Sequence, residues 1–247
     1  MRQFRLDAKT VVVAGASGGI GAACAVACAE AGAAAVALLG RSEERLRETA
    51  AAVTAAGATA WTVTCDLAST DDIDRVFGAI GRIDVLVHCA GTNRPEPFED
   101  VAPDTFDEVF GVNVRGMFFT AQAAARVMRE GGAIVLISSQ MGHVGAARRT
   151  VYCASKHAVE GLVKAMAVEL AERGIRVVSV APTFLSTAMT EAQLNDPNVG
   201  PALLAQIPQG RLGTVEEVAA GVVFAASPAA SLMTGASLVI DGGWTAR

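Results

Sequence analysis

Tyr152 and Lys156 lie four positions apart in Tyr152-Cys153-Ala154-Ser155-Lys156, and they are the residue types in this chain best suited to moving a proton. On a helix, side chains four apart leave the same face, so the phenol and the ammonium can enter one pocket. A free tyrosine has a pKa of about 10, and a nearby cation favours the phenolate, bringing the hydroxyl toward the range useful for proton transfer. Ser139, thirteen positions before Tyr152, adds a hydroxyl that could hold a reacting oxygen. Helices also carry such a pair as a core residue beside a solvated one, so the assignment of Tyr152 as acid/base depends on the elements around it.

Those elements begin near the N-terminus. Thr10 to Ala14 reads as a short buried strand, followed by Gly15-Ala16-Ser17-Gly18-Gly19-Ile20-Gly21 and an apolar helical run from Ala22 to Ala31. Glycines at 15, 19 and 21 permit a tight turn, a close approach of backbone to a pyrophosphate, and close packing of helix on strand. The helix start then offers free N–H groups and a favourable dipole to phosphates. Strands follow at Ala35 to Leu39, Thr59 to Thr64, Ile83 to His88, Ala133 to Ser138, Ile175 to Val180 and Ser237 to Ile240. Helices alternate with them: one from Ser42, one opened by Ser69 with Asp72, one from about Pro103, one through Asn113 to Met128, one carrying Tyr152 to Glu172, and one opened by a Thr214–Glu217 capping box. This alternation predicts an α/β fold, a doubly wound parallel sheet with helices on both faces and active residues at the carboxyl ends of the strands. The segment Asn195 to Gln209, with its three prolines, reads as an irregular mobile lid within 185–213.

Taken together, these stretches resemble the short-chain dehydrogenase/reductase family. Its glycine string TGxxxGIG is matched by Ala14-Gly15-Ala16-Ser17-Gly18-Gly19-Ile20-Gly21, and Asp66-Leu67 is similar to its adenine-contacting pair. His88-Cys89-Ala90-Gly91 stands where the family has Asn-Asn-Ala-Gly, Asn113 where it has its catalytic asparagine, and Ser139 where it has its serine. Ala181-Pro182-Thr183 with Thr187 resembles PGxxxT, and Thr234-Gly235 through Asp241-Gly242-Gly243 the closing TG…DGG. The resemblance runs nearly end to end and implies about seven strands in one Rossmann-type domain spanning 1–247. It implies hydride transfer between a nicotinamide and a carbonyl or secondary alcohol. Tyr152 would exchange the proton, Ser139 would hold the reacting oxygen, Lys156 would bind the nicotinamide ribose, and Asn113 would anchor a water that carries protons outward. Gly15, Ser17, Gly19, Ile20, Gly21, Arg41, Asp66, Leu67, Ala90, Gly91, Pro182 and Thr187 would line the dinucleotide site with Tyr152 and Lys156. The chain departs from the pattern at Ala14, at His88 and Cys89, and at Thr183, which puts local bracing in question but not the reaction class.

Cofactor choice turns on Gly40-Arg41 at the end of the second strand. An acidic residue there would bind an NAD ribose and repel the extra phosphate of NADP. Gly40 instead leaves room and Arg41 offers a guanidinium, which favours NADP while leaving NAD possible. For the substrate, Arg94, Arg148 and Arg149 could read a carboxylate or a polyol, suggesting a polyol, sugar acid or small ketone. A 3-oxoacyl-carrier-protein reductase shares all the motifs but would need a basic surface for its acidic carrier, and a dinucleotide sensor without catalysis is opposed by the intact Asn113, Ser139, Tyr152 and Lys156.

Composition agrees with such an enzyme. The chain has 247 residues, a formal net charge of −5 and no basic block, which points away from nucleic acid and from anionic membranes. Its mean hydropathy is +0.40, yet the uncharged run from Thr10 to Ala29 is broken by Ser17, Gly18, Gly19 and Gly21, so it is strand, turn and helix, not a membrane span. Met1 to Arg5 lead into no apolar run with a cleavage site, and a cytoplasmic location is expected. Five cysteines without paired spacing suit a reducing compartment, with Cys24 and Cys28 as core filler, and three scattered histidines form no metal-ligand cluster. The apolar faces of the helices carrying Asn113 and Tyr152 suggest a homotetramer, the assembly common in the resembled family.

Overall fold

The computed structural model describes residues 2–186 and 200–246. Seven strands form one parallel sheet in the order β3-β2-β1-β4-β5-β6-β7. They are β1 (Thr10–Ala14), β2 (Ala35–Gly40), β3 (Thr59–Thr64), β4 (Ile83–His88), β5 (Met128–Ile137), β6 (Arg176–Pro182) and β7 (Ala236–Ile240). The helices are α1 (Gly19–Glu30), α2 (Glu43–Ala55), α3 (Thr70–Ile80), α4 (Pro103–Phe110), α5 (Met117–Val127), α6 (Thr150–Leu170), α7 (Gly200–Leu204) and α8 (Val215–Ala226). Strand order reverses between β1 and β4, and such a switch point leaves a crevice at the carboxyl ends of the strands.

The inner strands are apolar on both sides because both sides are covered. Val11, Val13, Val36, Leu38, Val85 and Val87 pack with Cys24 and Cys28 of α1, Leu46 and Val53 of α2 and Val218 and Val222 of α8. The alternate residues Val12, Leu39, Leu86, Ile134 and Leu136 face Ile73 and Val76 of α3, Met117 and Ala121 of α5, and Val159 and Val163 of α6. Cys24 and Cys28 are core residues, as their helical spacing predicts.

Helix starts follow their capping residues. Ser42 Oγ accepts from Arg45 N, Ser69 Oγ accepts from Asp72 N, and Thr214 and Glu217 form a complete reciprocal box. At Ser69 the reciprocal half is missing. Asp72 accepts instead from Asp66 N at 2.8 Å and Arg75 Nη2 at 2.9 Å, so its carboxylate holds the loop after β3. Strand β5 starts earlier than the apolar run from Ala133 predicts, because Met128 pairs with Ile83 before the register shifts to put Ala133 opposite Val85.

The stretch expected as two helices, one from about Pro103 and one through Asn113 to Met128, is three pieces: α4, a π-helical turn over Gly111–Gly116, and α5. Gly116 lies against the carbonyl of Leu67, where a β-carbon would collide. Of the expected lid, residues 187–199, Thr187 among them, lie outside the described residues; the remainder includes α7 and a buried Ile207. Its two ends meet, with Ser186 N donating to Gly213 O at 2.9 Å and Gly213 N to Phe184 O at 3.1 Å. Among the described residues no helix is long and apolar enough to cross a membrane, and no cluster of His, Cys, Asp or Glu could hold a metal ion.

His88, which replaces an amide of the family pattern, is fully buried at the end of β4, on the same side of the sheet as Leu86, and neither ring nitrogen has a hydrogen-bond partner in the protein. Burial pushes its pKa down to about 3, and the charge of Lys156 adds to the effect. The unfolded chain takes up this proton near pH 6.5 while the folded chain resists it, so stability is lost as pH falls from about 6.5 toward 3. At about 1.4 kcal/mol per pH unit, this one histidine accounts for roughly 3 kcal/mol of lost stability at pH 4. In urea unfolding, His88→Asn is expected to narrow the gap between stabilities at pH 7.5 and pH 4 by that amount; an equal gap in wild type and variant would show that the acid sensitivity lies elsewhere.

Candidate active site and dinucleotide cradle

The turn after β1 and the turn after β4 touch at the switch point. Gly15 has φ +87°, and a β-carbon there would stand 2.6 Å from Ala90 N; a β-carbon on Gly21 would collide with the Gly15 carbonyl. Those two glycines let the first turn of α1 sit directly over the strand end. No side chain caps α1, whose N-cap is Gly18, and Gly18 and Gly19 are exposed with open space above them. The leading N–H groups of α1, with Ile20 half-buried beside them, thus face the crevice, an arrangement that suits an anion.

Beyond the glycine turn, Ser17 Oγ is buried without a protein partner and occupies the position that a β-carbon on Gly40 would take. The room expected beside Gly40 is therefore filled by Ser17, while Arg41 stands exposed next to it. Asp66 is exposed and accepts from Ala68 N at 3.0 Å, and Leu67 is buried under Gly116. Ala90 and Gly91 complete the wall, a β-carbon on Gly91 standing 3.3 Å from Asn113 Oδ1 and 3.6 Å from Lys156 Nζ. An unpartnered hydroxyl, an uncapped helix start and glycines that admit no β-carbon fit a bound dinucleotide, with Ser17 and Arg41 at the ribose end and the α1 start at the phosphates.

The four reactive residues converge beside this cradle. Lys156 is buried, and its Nζ donates to Ile137 O at 3.0 Å, 5.7 Å from the centre of the Tyr152 ring. Ser139 Oγ, just past β5, accepts from Met141 N at 3.1 Å and lies within hydrogen-bonding reach of Tyr152. Asn113 is fully buried in the π-helical turn: its Oδ1 accepts from Thr92 N at 2.7 Å, and its Nδ2 donates to Thr92 O at 2.9 Å and to Ser155 Oγ at 3.0 Å. Ser155 Oγ in turn donates to the Tyr152 carbonyl at 2.7 Å. Asn113 thus holds protein segments with both ends of its side-chain amide, a bracing role.

Electrostatics depart from the simplest expectation. Burial pushes the Tyr152 phenol above its ordinary value, while the hydrogen bond from Ser139 and the charge of Arg149 pull it down. Burial also lowers Lys156 from an ordinary 10.5 to about 8. In the free protein, then, desolvation outweighs the help that a lysine was expected to give the phenolate.

The arginines separate. Arg94 donates from Nε and Nη2 to Glu108 of α4, at 3.0 and 2.6 Å, so this exposed guanidinium is paired with an intrachain carboxylate. Arg149 is half-buried at the start of α6, its charge felt by Tyr152; Arg148 is exposed. Pro182 ends β6 next to a cavity of about 370 Å³ lined by Thr183, Gln209, Arg211, Glu217 and Asp241. Sequence reasoning missed Gln140, which follows Ser139 and is buried with both amide atoms unpartnered, and the unpartnered buried oxygens Asn93 Oδ1 and Glu96 Oε2; the Thr183 hydroxyl, noted as a departure in the sequence, is likewise buried and unpartnered. Only the adjacency of Gln140 to Ser139 and of Asn93 to the Gly91 turn could have signalled them.

Tyr152 is the only tyrosine in the chain, so phenolate absorbance near 295 nm reads its ionisation alone. The free protein is expected to titrate above about 10. Ser139→Ala moves the midpoint higher still, because it deletes a hydrogen bond that lowers it. A midpoint below 10 in wild type, or one unmoved by the substitution, would contradict this balance of burial and hydrogen bonding.

Comparison with known proteins agrees with the geometry. The family model described as "Enoyl-(Acyl carrier protein) reductase" matches residues 15–245. The D-threitol dehydrogenase of Mycolicibacterium smegmatis is 40% identical over 250 residues, covering 99% of this chain and 95% of that protein. The 2-dehydro-3-deoxy-D-gluconate 5-dehydrogenase of Escherichia coli is 35% identical over 251 residues, covering 99% and 98%. A crystal structure of a gluconate 5-dehydrogenase from Burkholderia cenocepacia, in complex with NADP and tartrate, superposes with a TM-score of 0.93 at 31% identity, covering 100% of this chain and 98% of the other. With the family model matching residues 15–245 and sequence and fold alike across nearly the whole length of such relatives, the chain belongs to the short-chain dehydrogenase/reductase family.

Proposed function

We propose that this protein is an NADP(H)-dependent oxidoreductase that interconverts a secondary alcohol and a ketone on a small polyhydroxylated substrate, a polyol or sugar acid. The observation that carries this reading is the convergence of Ser139, Tyr152 and Lys156 on the edge of the glycine cradle, braced by Asn113. Bound NADP would give or take the hydride at its nicotinamide. Tyr152 then gives the substrate oxygen its proton in reduction or takes it in oxidation, and Ser139 donates a hydrogen bond to that oxygen. Lys156 holds a positive charge beside the phenol and the cofactor ribose.

Arg41 favours NADP, in keeping with the NADP held by the Burkholderia relative. The unpartnered Asn93, Gln140 and Thr183 atoms suit a substrate rich in hydroxyls, and Arg149 is the guanidinium placed to read an acid. The relatives' names, polyol and sugar-acid dehydrogenases, support this over a carrier-protein reductase, and so does the net charge of −5, which would repel an acidic carrier. A silent sensor would have no use for the intact reactive residues. We further read the chain as one catalytic domain over 1–247, with 185–213 as its substrate lid, working in the cytoplasm.

A panel of polyols, sugar acids and ketones assayed with NADP(H) and NAD(H) tests the reading. Turnover with at least one hydroxylated substrate and a higher kcat/KM for NADP than for NAD is expected. Tyr152→Phe should cut kcat by about 10²-fold or more while leaving NADPH affinity within a few-fold. Preference for NAD, or a variant retaining more than about a tenth of kcat, would reject the respective assignment.

We also propose a homotetramer. Phe106 and Phe118 are exposed on α4 and α5, and Val168, Leu232 and Val239 on α6, before β7 and on β7, the edge strand of the sheet. Two two-fold contacts generate four copies. Light scattering is expected to give a mass near four times 25.2 kDa, and a monomer at micromolar concentration would contradict it.

A further inference from the structure

One buried carboxylate lies outside the chemistry assigned so far. Glu160 follows Lys156 by one helical turn on α6 and is buried. Its Oε2 accepts from Ser179 Oγ of β6 at 2.9 Å, and its Oε1 from Ser237 Oγ of β7 at 3.3 Å. His143 Nε2 stands 3.5 Å from Glu160 Oε1 and 3.0 Å from Ser237 Oγ. His143 closes the short turn that Ser139 opens, its N donating to Gln140 O at 2.9 Å. The space between these groups is tight: a β-carbon on Gly142 would stand 3.0 Å from Lys156 O and 3.1 Å from Glu160 Cγ.

This is not a hydrolytic relay, because Glu160 and Ser237 meet the same imidazole nitrogen and the acid cannot orient the ring toward a nucleophile. Nor is it needed for packing, since an apolar side chain would fill the volume without the desolvation a carboxylate suffers. What it adds is negative charge near an ammonium that lacks a carboxylate partner among the described residues, Lys156 Nζ being bound only to the Ile137 carbonyl.

We propose that Glu160 is a positioning residue for this active site, its carboxylate clamped by Ser179, Ser237 and His143 so that it acts as the buried counter-charge of Lys156 and fastens the Ser139 turn to the same helix. The inference rests on the assignment of Lys156 to the dinucleotide site. Burial drags the ammonium down to about 8, and Cys89 and then Glu160 oppose that fall. The titratable groups facing Lys156 are Cys89 and His88 from the end of β4, Tyr152 one turn back and Glu160 one turn on; those facing Glu160 are His143 and Lys156.

The test needs neither substrate nor dinucleotide, so its failure is distinct from failure of the functional reading. The chain has three lysines, at 9, 156 and 164, so protein labelled with ¹³C at the lysine ε-carbon gives three signals, assigned with Lys9→Arg and Lys164→Arg. Wild-type Lys156 is expected to titrate near 8. Glu160→Gln, which keeps the shape and loses the charge, should move the midpoint down by about half a pH unit or more. His143→Gln, which keeps the carboxylate, should leave it within about 0.2 of wild type. Should the Gln variant not fold, Glu160→Asp is titrated in its place, with the same direction expected from a retracted charge. An unmoved midpoint in the variant titrated would overturn the proposal, as would one that moves only in Cys89→Ala.

Discussion

The site depends on one amide. Asn113 receives and returns hydrogen bonds with the backbone of Thr92 and donates to Ser155, whose hydroxyl bonds the carbonyl of Tyr152. Three segments distant in sequence, the loop after β4, the π-helical turn and the first turn of α6, are thereby fixed to one another. Removing this side chain would take their partners from the partly buried N–H and carbonyl of Thr92, each a loss of about 1–3 kcal/mol. The irregularity of the turn follows from the same demand. A wider π-helical turn at 111–116 carries Asn113 inward, and Gly116 allows that turn to rest on the Leu67 carbonyl. The turn that braces Tyr152 through Asn113 and the turn that packs on the loop after β3 are therefore one piece of backbone.

A second tension runs through the reactive pair. Proton transfer benefits from a dry pocket, yet dryness acts against both charges it needs: it raises Tyr152 and lowers Lys156. The fold answers with small, local compensations: a serine hydroxyl, a half-buried arginine, a carbonyl oxygen. Such a site is less stable than an apolar one of the same volume, and the surrounding sheet, apolar on both faces, supplies the margin.

Much of this was legible in the sequence, for identifiable reasons. The runs Thr10–Ala14, Thr59–Thr64 and Ile83–His88 coincide with strands residue for residue, because glycines or polar caps bound them on both sides. The Thr214–Glu217 box was readable since a glutamate reaches back to the cap, whereas Asp72, one methylene shorter, went to Asp66. The π-helical turn left no periodic trace, as its cause is a tertiary contact through Asn113. Nor could spacing show that Glu108, fourteen residues away, claims Arg94, or that Ser17 fills the volume above Gly40. Local grammar names the reactive residues; what they are paired with is decided by elements that meet only after folding.

The shared volume of Ser17 and Gly40 constrains how this lineage could change its cofactor. Exchanging NADP for NAD usually calls for a carboxylate at the end of the second strand. Here any side chain at position 40 meets the Ser17 hydroxyl, so the new acid must wait until position 17 has become smaller or has turned away. Turning away costs little, because that oxygen has no protein partner to abandon. Two positions 23 residues apart in sequence thus share one volume, and what position 40 can carry is set by where the side chain at position 17 points.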